Sequence, residues 1–411
     1  MRLPPCRFCG SSLKNTFADL GMSPLSNSYL RPEELNQSEP FYPLHARVCD
    51  RCFLVQLEQV ECPEKIFTEY AYFSSYSESW LRHAGQYAER MTERFRLGRS
   101  SLVIEVASND GYLLQYFQAK SIPVLGIEPA QNVATAAEKK GIRTLAKFFG
   151  TQTARELQAG GRQADLIVCN NVLAHVPDLN DFVAGLKLIL KPHGVITVEI
   201  PHLLRLIEGN QFDTIYHEHF SYFSFCTAAE IFGKHALAIF DVEEISTHGG
   251  SLRLFAGHDS EGGWPPDSRV SQLRQQELAA GIHNLDQYSC FGERVRETKR
   301  ALLEVLISLK RAGKSVVAYG APAKGNTLLN YCGIGRDFLD YTVDLSPHKQ
   351  NHFLPGTHIP IYHPDMIRRT KPNYILILPW NLRQEILAQL SDVRGWGARF
   401  ILPIPKAEVI E

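Results

Sequence analysis

Leu102-Val-Ile-Glu-Val-Ala-Ser-Asn-Asp-Gly111 is the stretch from which the fold of this chain can be predicted. Its first five residues are apolar apart from Glu105, which is typical of a buried parallel strand. A polar turn then ends in Gly111, and a helical pattern begins at Tyr112. Strand, tight turn and helix form the first half of a doubly wound nucleotide-binding unit. The next predicted strand ends at Glu128, 23 residues after Glu105, where such folds place a ribose-binding carboxylate.

Two cofactors that contain adenosine compete for this turn, and its composition favours one of them. A dinucleotide carries a pyrophosphate and requires G-x-G-x-x-G, whereas this turn contains a single glycine. S-adenosylmethionine has no phosphate and carries a cationic sulfonium, so it needs fewer glycines and gains from nearby carboxylates. We therefore expect S-adenosylmethionine here; the alternative is a ligand-free turn in which Asn109 and Asp110 cap the helix. The predicted cofactor residues are Glu105, Ala107, Asn109, Asp110, Gly111, Glu128, Asn170 and Asn171.

Length and composition narrow the class of protein. The 411 residues predict two or three domains. A formal net charge of -1 argues against a dedicated nucleic-acid-binding protein. Because the chain has no run of 18 apolar residues and no apolar signal core at its start, we expect a cytoplasmic protein that does not cross a membrane. We also expect a monomer.

Two C-x-x-C pairs predict a metal site in the first unit, residues 1–70. They are Cys6-Arg-Phe-Cys9 and Cys49-Asp-Arg-Cys52, separated by 39 residues. Each pair places two thiolates on one tight turn, and two such turns complete a closed, tetrahedral zinc site with a structural role. The predicted ligands are Cys6, Cys9, Cys49 and Cys52; the alternative is four reduced thiols.

Alternating strand and helix patterns predict a doubly wound sheet over residues 71–257, which matches the core of class I methyltransferases. Asp165-Leu-Ile-Val-Cys-Asn170 is a predicted strand, and Asn171 to Asp178 continue past its carboxyl end, where such folds bind ligands. Farther on, His248-Gly-Gly-Ser251 contains a double glycine, which indicates a sharp turn or a close backbone approach.

Tyr216-His-Glu-His219 is the stretch with the greatest density of reactive side chains. His217 and His219 are two positions apart, so they diverge on a helix, and no third ligand lies nearby; we do not expect a metal. A general acid/base role fits better, because histidine titrates near neutrality, Glu218 can orient it and Tyr216 can donate to an oxyanion. A polar interface between domains is the alternative.

A second Rossmann-like α/β unit is predicted over residues 258–411, beginning with a long helix from about 285 to 312. Its buried strand Ser315–Tyr319 leads into Gly320-Ala-Pro-Ala-Lys-Gly-Asn-Thr327. This loop resembles a P-loop, but Asn326 occupies the lysine position, which argues against a nucleoside-triphosphatase. Glycines and a lysine at a helix start still favour a phosphate site, and Asp344 ends the next strand where a ribose or base could bind. The alternative is a helix-capping loop in a purely structural domain.

These motifs occur together, in this order, in a known family. The four-cysteine unit, Glu105–Gly111, Tyr216–His219, His248–Ser251 and Gly320–Asn326 make the chain similar to the S-adenosylmethionine-dependent sugar C-methyltransferases of deoxysugar pathways, such as that of tetronitrose. The resemblance implies a nucleotide-linked 4-keto-6-deoxyhexose as substrate. It also implies methylation at C3 through an enolate, with C5 as the alternative. An NAD-dependent sugar-nucleotide oxidoreductase and a non-enzymatic zinc-binding protein are rival interpretations.

The resemblance also implies roles for individual residues. It matches His219 to the base and Tyr216 to the partner of the C4 oxygen, with Glu218 and His175 around the sugar. It places one tyrosine of the preceding segment, Tyr72 or Tyr76, at the substrate. The nucleotide diphosphate is expected near the second Rossmann-like loop, at Lys324, Asn326 and Thr327, with Asp344 close by.

Overall fold

The computed structural model describes residues 3–62, 73–76, 78–260 and 263–410. Tyr72 therefore lies outside the described residues. The strands are, in chain order, β1 (Asn15–Ser23), β2 (Tyr42–Val48), β3 (Val55–Leu57), β4 (Val103–Val106), β5 (Val124–Ile127), β6 (Thr144–Leu145), β7 (Ala164–Asn170), β8 (Leu190–Pro201), β9 (Ser221–Tyr222), β10 (Leu237–Ile245), β11 (Ser251–His258), β12 (Val316–Tyr319), β13 (Thr342–Val343), β14 (Ile361–Tyr362), β15 (Tyr374–Ile377), β16 (Arg399–Leu402) and β17 (Glu408–Ile410).

The α-helices occupy the connections between these strands. They are Glu78–Arg94, Leu114–Ala119, Gln131–Lys139, Thr151–Ala159, Leu179–Ile189, Leu203–Glu208, Phe225–Lys234, Ser268–Ala279, Leu285–Ser289, Phe291–Arg311, Ala323–Cys332, Asp365–Thr370 and Arg383–Gln389. The long helix predicted near residues 285–312 is interrupted at Cys290, so it forms a short and a long helix.

The central sheet has the strand order β10-β11-β8-β7-β4-β5-β6. Its strands from β6 to β8 are parallel, and β11 runs antiparallel to both of its neighbours. All four residues of β4 are buried, including Glu105, because helices cover both faces of a doubly wound sheet. The predicted α/β architecture is confirmed for this unit.

The C-terminal sheet is a second α/β layer with the order β14-β13-β12-β15-β16-β17. It is parallel from β14 to β16, and only β17 among its strands pairs antiparallel. The carboxyl end of β12 passes through Gly320, at φ 88°, into the helix Ala323–Cys332. This end of the sheet faces the central domain and contributes to the cavity described below.

The N-terminal sheet is completed by a strand from much later in the chain. Its order is β1-β2-β3-β9, and β3 pairs with β9 through Val55 with Tyr222 and Gln56 with Ser221. The amide of Leu57 also donates to the carbonyl of Phe220 at 3.0 Å. The zinc-binding unit is thereby joined by backbone hydrogen bonds to the residues that directly follow His219. Sequence patterns gave no sign of this pairing, because β9 is two residues long.

None of the helices in the described ranges combines the length and apolar composition needed to cross a membrane.

Candidate active site

A cavity of about 560 Å³ lies where all three sheets approach one another. Its wall includes residues from the carboxyl ends of β4, β5 and β7, from the segment before β9, from the loop before β11 and from the C-terminal sheet. The N-terminal unit adds Asn27 and Tyr29. Carboxyl ends of parallel strands are the usual ligand-binding edge of doubly wound sheets.

The turn after β4 depends on left-handed backbone conformations. Ala107, Asn109 and Gly111 have φ of 58°, 48° and 75°. A Cβ at Gly111 would lie 2.9 Å from Cγ1 of Ile142, so the glycine permits both the turn and close packing. Ala107 and Asn109 line the cavity, while Gly111 packs beneath it.

The acids around this turn differ in their environments. Glu128 lines the cavity and accepts hydrogen bonds from the amides of Asn109, at 3.0 Å, and Ala130, at 2.9 Å. Burial raises its pKa. Burial, followed by the charge of Glu128, raises the pKa of Glu105 well above its ordinary value. Asp110 instead pairs with Lys140 at 2.8 Å and does not line the cavity.

Unsatisfied polar groups at the end of β7 indicate that a polar ligand binds here. Both side-chain amide atoms of Asn170, and Oδ1 of Asn171, are buried without a hydrogen-bond partner in the described part of the chain. Buried polar groups are normally paired. Both residues line the cavity together with Glu128, and this set of donors and acceptors fits the hydroxyl and amino groups of S-adenosylmethionine.

His219 is held in a defined tautomer. Its Nδ1 donates to the carbonyl oxygen of Thr214 at 3.0 Å, which leaves Nε2 to accept from the hydroxyl of Tyr216 at 2.8 Å. Burial, and then the neighbouring His175, lower the pKa of His219 well below its ordinary value. The imidazole is therefore neutral at pH 7, with the lone pair of Nε2 directed toward Tyr216.

The other members of the predicted catalytic group surround this pair. The ring of His175 meets that of His219 edge-to-face at 4.7 Å, and its Nδ1 donates to the carbonyl of Glu218 at 2.8 Å. Burial lowers the pKa of His175 to about 4. The buried carboxylate of Glu218 accepts from the amide of Asn27 through both oxygens, at 2.7 and 2.9 Å. Asn27 had no signal in the sequence, because it lies 191 positions away.

The C-terminal unit contributes two lysines to the cavity wall, Lys324 from the helix Ala323–Cys332 and Lys349 from the turn after β13. Nζ of Lys324 donates to Oδ1 of Asn381 at 2.7 Å and lies 4.7 Å above the ring of Trp380. Nζ of Lys349 donates to the carbonyl of Ala321 at 3.0 Å. Lys324 was predicted from the glycine loop, whereas Lys349 was missed because it follows no recognisable motif.

The remaining predicted residues of this region lie behind the cavity wall. Asn326 and Thr327 are buried in the packing of their helix, and neither lines the cavity. Asp344 accepts from the amide of Ala321 at 2.8 Å and supports the loop from behind.

Tyr76, the other tyrosine predicted at the substrate, is exposed, and its hydroxyl lies 3.3 Å from Nε2 of His348.

The four cysteines of the N-terminal unit form a compact cluster. Their sulfurs all lie within 4.8 Å of one another, with Cys6 to Cys52 at 3.6 Å and Cys9 to Cys49 at 3.5 Å. A tetrahedral zinc site with Zn–S bonds of about 2.3 Å requires sulfurs about 3.8 Å apart. The cluster fits a structural zinc ion, as predicted.

Three family models match successive parts of the chain. They describe a zinc binding domain over residues 6–67, a methyltransferase domain over residues 80–239 and a C-methyltransferase C-terminal domain over residues 246–405. The third of these models includes β11, a strand of the central sheet, together with the whole C-terminal sheet up to β16.

Individual proteins show the same relationship. The chain is 34% identical over 405 residues to the C-methyltransferase NovU of Streptomyces niveus, covering 98% of this chain and 96% of that protein. It is 31% identical over 105 residues to a ubiquinone biosynthesis O-methyltransferase of Pasteurella multocida, covering 23% of this chain and 43% of the relative. A Burkholderia thailandensis 1,6-didemethyltoxoflavin-N1-methyltransferase structure matches with a TM-score of 0.36 and 15% identity, covering 50% of this chain and 95% of that one. The similarity to NovU extends over nearly the whole chain, and the protein therefore belongs to the S-adenosylmethionine-dependent C-methyltransferases that carry an N-terminal zinc-binding unit.

Proposed function

We propose that this enzyme methylates C3 of a nucleotide-linked 4-keto-6-deoxyhexose. The observation that carries the proposal is the composition of one cavity wall. It combines Glu128 and Asn170 at the ends of β5 and β7, the His219–Tyr216 pair, and Lys324 and Lys349 from the C-terminal unit. Two lysines suit a diphosphate, whereas a base beside a hydroxyl donor suits a ketone.

The substrate class follows from what carbon methylation requires. A carbon atom is a poor nucleophile unless an adjacent carbonyl acidifies its C–H bond. Such a substrate needs a base for the proton and a hydrogen-bond donor for the oxygen that becomes negative. Methylation of oxygen or nitrogen needs less than this. His219 and Tyr216, in contact at 2.8 Å, supply both groups at one place.

His219 acts as the base in this proposal. Its Nδ1–H remains bonded to Thr214, so Nε2 takes the proton from C3, and the C–H electrons pass into the enolate. When the substrate binds, the Tyr216 hydroxyl turns from Nε2 of His219 to the C4 oxygen. This frees the Nε2 lone pair for the proton and places a donor at the oxygen where negative charge develops. S-adenosylmethionine supplies the electrophilic methyl group that the C3 carbanion centre requires. His175, bonded to the backbone of Glu218, keeps the His219 ring in place by edge-to-face contact.

The proposal is tested by incubating the enzyme with S-adenosylmethionine and thymidine- or uridine-diphosphate 4-keto-6-deoxyhexoses. Mass spectrometry should show the gain of one methyl group, and NMR should place it on C3. The matched control is the same sugar nucleotide with a hydroxyl in place of the 4-ketone, which should not react. A methyl group on oxygen or nitrogen, or equal reaction of the control, would contradict the proposal; a methyl group on C5 would move the site of deprotonation.

A further inference from the structure

His248 lines the same cavity as His219 and has not been accounted for by the roles above. Many protein atoms lie near the imidazole of His248, but more than a third of the residue's surface is accessible to solvent. Both observations are met if the ring faces the open cavity. No residue of the described ranges hydrogen-bonds to either ring nitrogen of His248, so both remain available to a ligand.

The backbone around His248 is shaped to present this side chain. His248 itself has φ 55° and ψ 19°, in the left-handed region that a histidine seldom adopts. A Cβ at Gly249 would lie 2.7 Å from Cη2 of Trp380, and one at Gly250 would lie 2.9 Å from Cβ of Arg205. The double glycine therefore lets the loop press against both side chains. Conformations of this kind concentrate at functional sites.

The neighbours of His248 define one side of the cavity. Its ring lies 5.4 Å from that of Trp80, which also lines the cavity and stacks on His83 at 4.9 Å. His83 is held by the buried carboxylate of Glu199, which is paired with Arg253. The position of Trp80 is therefore fixed by its stacking on His83. The ring of Tyr112, which also lines the cavity, stacks on Trp80 at 6.1 Å. The indole therefore contributes apolar wall beside the imidazole of His248.

The charge of the site distinguishes the possible ligands. Burial, and then the nearby charge of Lys324, lower the pKa of His248, so its imidazole is neutral at pH 7. A neutral ring suits an uncharged oxygen, whereas the two lysines suit an anion. The predicted cofactor residues lie at the ends of β4, β5 and β7, while His248 precedes β11, on the far side of β8 from them.

We propose that His248 is a substrate-contacting residue that hydrogen-bonds an uncharged oxygen of the sugar, with Trp80 forming part of the cavity wall next to it. The inference rests on the proposed function, because it assigns part of the same cavity to the same substrate.

The test compares His248→Gly and His248→Asn with the wild-type enzyme on a thymidine-diphosphate 4-keto-6-deoxyhexose. Glycine removes the ring and accepts the left-handed backbone without strain, and asparagine keeps a polar side chain in that conformation. We expect His248→Gly to lower kcat/KM for the sugar nucleotide about tenfold, the size of one lost hydrogen bond. His248→Asn should retain about a third of wild-type kcat/KM. In both variants KM for S-adenosylmethionine should not rise, and the unfolding temperature should not fall.

Ala236→Gly is the matched control, because Ala236 is exposed, has φ 50° and does not line the cavity. It reports the effect of relieving a left-handed residue alone. Unchanged kcat/KM in His248→Gly overturns the inference. Parallel losses of cofactor affinity and thermal stability in His248→Gly also overturn it, because they indicate a structural role. If the wild-type enzyme methylates no keto sugar, the proposed function is overturned as well. If the wild type is active and His248→Gly has the same kcat/KM, only the inference about His248 is overturned.

Discussion

Nη1 of Arg7 donates a hydrogen bond of 2.7 Å to the carbonyl oxygen of Pro177, two residues after His175. Nη2 of the same guanidinium donates to the carbonyl of Leu57, and its carbon lies 5.3 Å from the ring centre of Phe220, next to His219. Arg7 follows Cys6, a predicted zinc ligand. One side chain of the zinc knuckle therefore contacts the neighbours of both predicted catalytic histidines.

Replacing Arg7 by methionine should lower kcat while the zinc unit remains folded and keeps its metal. Loss of the contact to Pro177 allows His175 and His219 to shift relative to each other, and shifts of about 1 Å cost up to about 100-fold in rate. Steady-state kinetics, zinc content and cofactor binding should be measured together. Arg51→Met is the matched control, because Arg51 lies in the second knuckle and is exposed. Equal rates in the two variants would disprove a positioning role for Arg7.

Removing zinc should affect the active site as well as the N-terminal unit. Nε2 of Gln56 donates to Sγ of Cys6 at 3.2 Å, and the Gln56 backbone pairs with Ser221, two residues after His219. Metal binding supplies folding free energy to such units. Chelation should lower the unfolding temperature and abolish methyl transfer. Cys6→Ser should do the same, and Cys290→Ser, at an exposed cysteine outside the cluster, should not. Full activity of metal-free enzyme would refute this coupling.

The unfolding free energy should fall as pH is lowered from about 6.5 to about 4. The pKa of His175 is about 4 in the folded chain and about 6.5 when unfolded. Below pH 6.5 the unfolded chain therefore binds a proton that the folded chain does not. His175 contributes on the order of 2 kcal/mol to the free energy of unfolding. This is less than the full pKa difference implies, because solvent in the cavity screens the charge.

Urea unfolding between pH 4 and 7 measures this dependence. The variant His175→Asn should show a shallower decline than the wild type across that range, whatever its stability at pH 7. Parallel curves for the two proteins would show that His175 titrates normally in the folded state.

Lys324→Met should weaken binding of the sugar nucleotide while leaving cofactor binding unchanged. A hydrogen bond between a charged group and a phosphate contributes about 1.5 to 3 kcal/mol, which predicts a 10- to 100-fold higher KM. Lys314→Met, at an exposed lysine outside the cavity, is the control. Isothermal titration with thymidine diphosphate separates this effect from catalysis. Unchanged affinity would place the diphosphate elsewhere in the cavity.

The architecture could be predicted from sequence because each unit has a strong local signal. Composition alone indicates the strand that ends near Ala107 and the turn after it. It also indicates the metal site, from the cysteine pairs, and the strand and loop around Tyr319. The broken helix at Cys290 and the short strand β9 were missed, since both depend on contacts between units and not on a local pattern.

The cavity wall was predictable only in part for the same reason. His219 and Tyr216 stood out by the density of reactive groups, and both line the cavity. Asn27, Tyr29 and Lys349 reach it through tertiary folding, and no spacing in the sequence indicates this. Conversely, Gly111, Asp110 and Asn326 lie in motifs associated with ligand binding, but here Gly111 packs on Ile142, Asp110 pairs with Lys140, and Asn326 is buried in its helix.

The most direct measurement of enolate chemistry is solvent deuterium exchange into a thymidine-diphosphate 4-keto-6-deoxyhexose, read by mass spectrometry and NMR. Wild-type enzyme should incorporate one deuterium at C3 above the non-enzymatic background. His219→Asn should abolish this exchange while still binding S-adenosylmethionine, because only the base is lost. Exchange at the wild-type rate in His219→Asn, or methyl transfer to carbon without any dependence on His219, would contradict the assignment of His219 as the base that forms the enolate.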